Sequence, residues 1–442
     1  MPIVSVEDVG ALLSGRFLFY SQRVKRLSRS IHTTSRQLLH RDSSETVDAA
    51  VICMWQIAQA TLFPELRTLV LQLPGSEDSA LCRLLTISIT HLSLSANTAL
   101  EEQVVEHWLD DIARPGAGLD SLIIDLADTR HSYALVSTLV NHAERLRILI
   151  CSSIPFKYSS LNHFASHPAL RQLTVGRILA DQPLILSCAC FPVLESLTVR
   201  DEGRGAEFIQ GFLAHAPPHH LRKVDLHLSY KCSLSLADWL TILYSMSSFV
   251  HMTHIYLKLH VPVTEESRCR MIPEVLMALS PMVSLESLEI YSSTAMVYPS
   301  FISQETILPQ WSSIHTLVFL SHQPAEIDLP GFLKVLLAFP CLTRFGGVIN
   351  CSQLPSMDDI APLAQLRHPY NNLFYACSIT RIAELVAVLH TALPKQRPSA
   401  FVYLNDNGEE VEDSEDSEDQ DSVTAHVIEH WNRLRRDTHI DA

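Results

Sequence analysis

Apolar residues along the chain gather in short clusters that read Leu-x-x-Leu-x-Leu, separated by longer stretches with apolar residues at helical spacing. The clearest cluster is Phe191–Arg200, Phe-Pro-Val-Leu-Glu-Ser-Leu-Thr-Val-Arg, and near-copies begin at Phe63, His167 and Val283. Taking the first apolar residue of each match, the clusters start at Leu66, Ile89, Leu119, Leu146, Leu170, Leu194, Leu221, Met252, Leu285, Ile314 and Leu342, at intervals of 23 to 33 residues. The fourth leaves two registers open, since Ala143–Ile148 fits as well as Leu146–Cys151. Self-similarity at this period predicts a stacked array in which each unit buries its apolar face against its neighbours.

Side chains alternate along a strand, so Leu194, Leu197 and Val199 are expected in the core, with Ser196 and Thr198 on the opposite face. The segments that follow, such as Ala206–His215 and Leu234–Phe249, are each long enough for one helix. The proline ahead of the next strand ends that helix, because it has no N–H to continue it. Parallel strands on an inner rim and wider helices outside make an α/β fold, a right-handed leucine-rich-repeat solenoid (a horseshoe) of about 11–12 irregular repeats. The irregularity shows three residues after the last apolar position. Many such repeats carry Asn there; this chain has Asn97 once, and elsewhere Pro74, Ala127, Glu202, Ser229 or His260.

Segments outside the array differ in character. Residues 1–61 read as an N-terminal helical cap or junction. From Val9 to Arg41 there is no acidic residue, the cations are Arg16, Arg23, Lys25, Arg26, Arg29, Arg36 and Arg41, and Leu12, Leu13, Phe17, Phe19 and Tyr20 supply an apolar face. An organelle transit peptide is the competing reading, opposed by Glu7 and Asp8. The solenoid is assigned to 62–377 and a capping helix to 378–404, where Ile379, Ile382, Leu385, Val386 and Leu389 share one side. Residues 405–422 form an acidic segment expected to be disordered, and 423–442 a short helix with Val427, Trp431 and Leu434 on one face.

Composition changes this picture little. Of 442 residues, 47% are hydrophobic and 18% charged, enough apolar surface for a continuous core. The net charge of −15 is concentrated: nine acidic residues between Glu409 and Asp421 leave −6 for the rest, with no basic cluster suited to nucleic acid. Leu84–Leu100 and Trp239–Leu257 lack Asp, Glu, Lys and Arg, but their Ser and His content makes them pieces of repeats rather than membrane spans. Ten cysteines without pairing rhythm suggest reduced thiols and a cytoplasmic or nuclear protein.

No enzyme motif is present, and neither catalysis, metal nor cofactor is expected. Cys188 and Cys190 stand as one short pair, and His215, His219 and His220 flank Pro217-Pro218 in a turn. Ser414, Ser417 and Ser422 lie in or beside the acidic run, where phosphorylation and an unmodified spacer remain equally open.

The informative surface is the inner face of the strands. Early repeats place small or weakly polar residues there: Thr68, Val70, His91, Ser93, Ser121, Ile123, Gln172 and Thr174. Later repeats place Arg200, Lys223, Asp225, His227, His254, Tyr256, Lys258, Glu289 and Tyr291. Both signs of charge beside two tyrosines suit a protein partner held on the concave face.

The Phe-Pro-x-Leu-x-x-Leu-x-Leu units resemble the leucine-rich part of fungal F-box proteins. Arg16–Leu27, Arg-Phe-Leu-Phe-Tyr-Ser-Gln-Arg-Val-Lys-Arg-Leu, looks like the junction that those proteins place before the first repeat, so the resemblance runs from Gly15 to Leu393. It implies a substrate-recognition subunit, with a Skp-type adaptor and a cullin ligase as partners and the repeats presenting a substrate for ubiquitin transfer. The F-box itself, a helical module opening on Leu-Pro, has no counterpart before Arg16, so no adaptor-binding residue is carried over. The alternative is a free-standing repeat scaffold without ubiquitin chemistry.

Overall fold

The computed structural model describes residues 26–29, 67–73, 89–96, 118–126, 145–179, 183–186, 190–201, 205–228, 234–259, 265–292, 311–321, 326–346, 348–350, 375–376 and 401–402. The chain divides into two compact units, one of residues 1–205 and 215–217, the other of 206–214 and 218–442. Each is a run of strand-led repeats.

In the first unit the strands are β1 (Arg26–Arg29), β2 (Thr68–Leu73), β3 (His91–Ala96), β4 (Ser121–Leu126), β5 (Ile148–Cys151), β6 (Phe156–Lys157), β7 (Gln172–Val175), β8 (Ile178–Leu179) and β9 (Ser196–Asp201). Its sheet runs β1-β2-β3-β4-β5-β7-β9, every observed pair parallel, while β6 and β8 form a side pair. The second unit orders β10 (Lys223–Leu228), β11 (His254–Leu259), β12 (Ser287–Ser292), β13 (Thr316–Ser321) and β15 (Arg344–Gly346) in parallel. Beside them β14 (Glu326–Asp328) pairs with β16 (Val348–Asn350), and β17 (Tyr375–Ala376) with β18 (Phe401–Val402). The described helices are α1 (Tyr158–Ala165), α2 (Gly205–His215), α3 (Leu236–Met246), α4 (Glu265–Leu279) and α5 (Leu329–Ala338). The fold is an α/β leucine-rich-repeat solenoid.

From Leu66 to Leu342 every predicted repeat start lies two residues before a strand. The fourth register resolves to Leu146, since Leu146, Leu149 and Cys151 are all fully buried. Equivalent triads, such as Leu194, Leu197 and Val199 or Leu285, Leu288 and Ile290, are buried in the same way. Burying a Leu or Val side chain contributes about 1.5–3 kcal/mol, so these columns are the main favourable term in each repeat.

One backbone device recurs. Within both units the carbonyl of the residue after a start accepts two N–H groups from the next repeat: Arg67 O from Thr90 and His91, Arg171 O from Glu195 and Ser196, Thr253 O from Glu286 and Ser287, at 2.8–2.9 Å. A second device sits three residues before the start. Phe191, Phe249, Met282, Trp311 and Phe339 are buried there, and each carbonyl accepts the N–H of the start residue. Phe191 adopts φ 53°, a left-handed conformation unusual for a residue with a β-carbon. Its buried ring and a 2.6 Å hydrogen bond from its N–H to Ala165 O hold it there.

The Asn position is vacant at Glu202, and the preceding residue does the work. The Asp201 carboxylate is 1% exposed; Oδ1 accepts from Ile178 N at 2.7 Å and Oδ2 from Gly205 N, at the start of α2. Two other helix starts are capped by local side chains. Ser235 and Asp238 form a capping box at α3, and Asp328 Oδ1 accepts from Gly331 N at 2.8 Å at α5.

Three expectations need correction. Arg26–Arg29 is not part of a helical face; it is a strand paired with Thr68–Leu71, because backbone pairing extends the sheet edge wherever the chain can lie extended beside β2. The other residues of 1–61 are outside the described set. Ser121 and Thr174, expected on an exposed face, are 5% and 6% exposed, and Thr198 is 8%. Their side chains are small, and the larger His91 and Ile148 stand in register with Ser121, and Ile150 with Thr174. Within 378–404, Phe401–Val402 is a strand; the helix expected at Ser378–Leu393, the acidic segment 405–422 and the helix in 423–442 lie outside the described residues.

Gly176 and Gly118 test this packing as a pair. A β-carbon on Gly176 would stand 2.1 Å from Ser152 O, a backbone atom that cannot swing away, whereas one on Gly118 meets nothing within 4 Å. Gly176→Ala is expected to lower stability by about 1–3 kcal/mol, and Gly118→Ala to raise it by about 0.4–1 kcal/mol. Urea unfolding midpoints of the two variants check both signs.

Candidate functional site

Alternation turns every second side chain of β10, β11, β12, β13 and β15 to the sheet face opposite the leucine columns, and the strand register sets their rows. Lys223, His254, Ser287, Thr316 and Arg344 align in one row. Asp225, Tyr256, Glu289, Val318 and Gly346 align in the next, and His227, Lys258 and Tyr291 in a third. Repeats roughly thirty residues apart in sequence thus place their side chains about 5 Å apart.

Within this grid the aromatic groups touch diagonally. The His227 ring stacks on Tyr256 with centroids 4.7 Å apart and planes at 24°, and Tyr256 meets Tyr291 at 5.0 Å and 31°. Such pairs contribute about 0.5–1.5 kcal/mol beyond their buried area. Each end of this run is tied to a carboxylate. Asp225 Oδ1 lies 2.8 Å from His227 Nε2, an approach that brings charge close without a well-directed hydrogen bond to that oxygen. Tyr291 Oη donates to Glu289 Oε2 at 3.0 Å, and Glu289 Oε1 lies 3.5 Å from Arg344 Nη1.

The Tyr291 hydroxyl records this setting. Partial burial, first, and then the negative charge of Glu289 and the hydrogen bond donated to it push its pKa from 10 up to about 12, with Arg344 pulling the other way. The opposite end of the face is more open. His254 is exposed, its Nδ1 2.8 Å from Thr253 Oγ1, whose hydroxyl donates to Arg222 O at 3.1 Å. With that hydroxyl proton committed to the carbonyl, the ring nitrogen is the donor. Thr90, His91 and Arg67 O repeat the arrangement in the first unit.

The structure therefore joins five of the residues singled out in the sequence, Asp225, His227, Tyr256, Glu289 and Tyr291, into one connected cluster. Lys223, His254 and Lys258 stand exposed on the same face, and among the described residues neither lysine has an ion-pair partner. Arg200 is exposed on β9, in the other unit. Two members escaped the sequence reading. Arg344 holds the same strand position as Lys223 and His254, two residues after a repeat start, so the register already carried the signal. Val318, 1% exposed, closes over Gly346, where a β-carbon would come within 2.7 Å of Val318 Cγ1.

Outside the face, Cys151, Cys190 and Cys341 are free thiols. Burial raises the Cys151 pKa far above its ordinary value and pushes Cys190 up to about 11, so both are packing residues rather than nucleophiles. His215, His219 and His220 are exposed. Among the described residues no three of His, Cys, Asp and Glu gather as a metal site, and no helix is long and apolar enough to cross a membrane.

No protein-family model matches this chain, and no curated protein matches it in sequence. Among solved structures it is similar to an internalin from Listeria monocytogenes, with 13% identity and a TM-score of 0.39, over 78% of this chain and 82% of that one. The fold assignment rests on the strand register and burial, not on this distant likeness.

The folded chain holds the Tyr291 proton more tightly than the unfolded chain, so the associated stability is full below pH 10 and drains as pH rises through about 12. Phenolate absorbance should show Tyr291 ionising near that upper value, and Glu289→Gln should move it back toward 10. An unmoved titration in that variant would show that burial alone sets the shift.

Proposed function

We propose that this protein is a non-enzymatic, protein-binding repeat module whose second unit holds its partner on the open face of β10, β11, β12 and β15. The carrying observation is the connected cluster from Asp225 through His227, Tyr256, Tyr291 and Glu289 to Arg344. Stability asks little of this face, since the triads on the other side supply the core. The first unit fills the same positions with a mixed set, the small Ser121, Thr174 and Thr198 beside His91, Ile148, Ile150 and Arg200. Rings and charged groups already braced against each other lose less rotamer freedom when a partner arrives, which favours affinity. Tyr and Arg are also the side chains that most often anchor interfaces.

The finer reading is a substrate-recognition subunit of the F-box type, with a Skp-type adaptor and a cullin ligase as further partners, working in the cytoplasm or nucleus. Its support is the resemblance carried by the Phe-Pro-x-Leu-x-x-Leu-x-Leu units and by Arg16–Leu27. A scaffold that binds a partner without ubiquitin transfer has the same face and differs in the adaptor alone.

Two measurements separate these levels. Proximity labelling with the wild-type chain and with Tyr256→Ala should show specific partners lost in the variant; an unchanged partner set rejects the face as the binding surface. Co-purification with a Skp-type adaptor is expected for the F-box reading, and its failure under conditions that retain the face-dependent partners leaves the scaffold reading.

A further inference from the structure

We infer that the segment held on this face is an acidic stretch of the partner protein, carrying Asp, Glu or phosphorylated residues around an apolar or aromatic side chain. The inference rests on the reading above and adds the chemistry of the partner. Both carboxylates on the face are drawn in against their own neighbours: Asp225 lies 2.8 Å from His227 with no hydrogen bond to that oxygen, and Glu289 takes the Tyr291 hydroxyl on one oxygen and the Arg344 guanidinium on the other. They are also the less exposed members, at 17% and 19% against 42% for Arg344. The two lysines are exposed, and among the described residues neither is paired.

Their positions flank the rings. Lys223 lies one step before Asp225 on the same side of β10, beside His254 on β11. Lys258 lies in register between His227 and Tyr291, while both of those rings lean away from it onto Tyr256. A ligand crossing the face therefore meets a cation, an aromatic surface and a second cation in turn. A basic segment would find both carboxylates less exposed than the lysines that oppose it, and like charges in apposition are a strong means of rejecting a partner. A nucleic acid fits less well, since two lysines are few phosphate contacts and the guanidinium in the Lys223 row, Arg344, is already paired with Glu289.

The test uses the full chain and two labelled peptides of equal length, each with one central Phe, one rich in Glu and the other rich in Lys, read by fluorescence anisotropy. The Glu peptide should bind, weaken as salt is added, and lose about tenfold or more in affinity with the double variant Lys223→Glu, Lys258→Glu. Both lysines are exposed, so the variant should melt as the wild type does, which a thermal scan confirms. Tighter binding of the Lys peptide, tighter binding of a single-stranded oligonucleotide of matched charge, or undiminished binding of the Glu peptide to the double variant each overturns the inference. If the Glu peptide fails while Tyr256→Ala still removes partners in proximity labelling, the acidic chemistry is wrong and the binding face stands. If Tyr256→Ala removes none, the face itself is wrong and the inference falls with it.

Discussion

Everything in this fold depends on one doubly used carbonyl. Within each unit the oxygen just after the repeat start accepts two N–H groups from the next repeat, at 2.7–3.1 Å, from Arg67 O to Arg171 O in the first and from Arg222 O to His315 O in the second. That forked bond fixes where each strand enters the sheet, and with it the register. A slip by one residue would carry a leucine triad to the open face and its polar neighbours into the core. The buried columns and the forked bonds therefore enforce the same alignment, one through apolar burial and the other through backbone satisfaction. Repeats of 23 to 33 residues can stack together because this alignment constrains only the strand and its entry. The connecting segment varies in length at little cost.

The open face inherits that alignment without having to earn it. Asp225, Tyr256 and Glu289 share a row because their strands share a register, and so do His227, Lys258 and Tyr291. Contacts across the rows are nonetheless diagonal: His227 to Tyr256, then Tyr256 to Tyr291. In-register side chains on one face sit about 5 Å apart, whereas long aromatic chains also reach the diagonal neighbour. That reach leaves Lys258 outside the stack. The polar ends then close on carboxylates within the same strand, His227 on Asp225 and Tyr291 on Glu289, two residues apart in each case.

What the amino-acid pattern disclosed, and what it withheld, follows from the range of each interaction. Apolar triads at fixed spacing are local in sequence, so Leu194, Leu197 and Val199 announced both strand and core side. The rival register at Ala143 needed the fold to settle it, because both alternatives offer an apolar residue at every core position. Asp201 stayed hidden since its role is to accept from Ile178 N and Gly205 N, and the first of these lies 23 residues back in the chain. Period-two alternation likewise misled at Ser121 and Thr174. A small side chain on the open face is covered by its neighbours, so facing away from the core does not mean facing water. The strand at Arg26–Arg29 carried no apolar triad, only the capacity to pair at an edge. Arg344 was legible in principle, being two residues after Leu342, and became part of the site only once Glu289 was seen across from it.

The contrast between the two units bears on purpose. Both use the same forked carbonyl and the same buried triads, so both solve the folding problem in the same way. Among the described residues only the second places two tyrosines, two histidines, two lysines and two carboxylates on adjacent strands of the open face. Some of these groups are tied to each other at a cost in side-chain entropy, a cost that the small side chains at Ser121, Thr174 and Thr198 avoid. Ordering them in advance does carry an advantage when something else must be held there, because the entropy is then spent before the partner arrives. The division within the cluster points the same way. The negative charges are braced inward, toward His227, Tyr291 and Arg344, while Lys223 and Lys258 are left outward. A face built only to be solvated would gain nothing by sorting its charges in this manner.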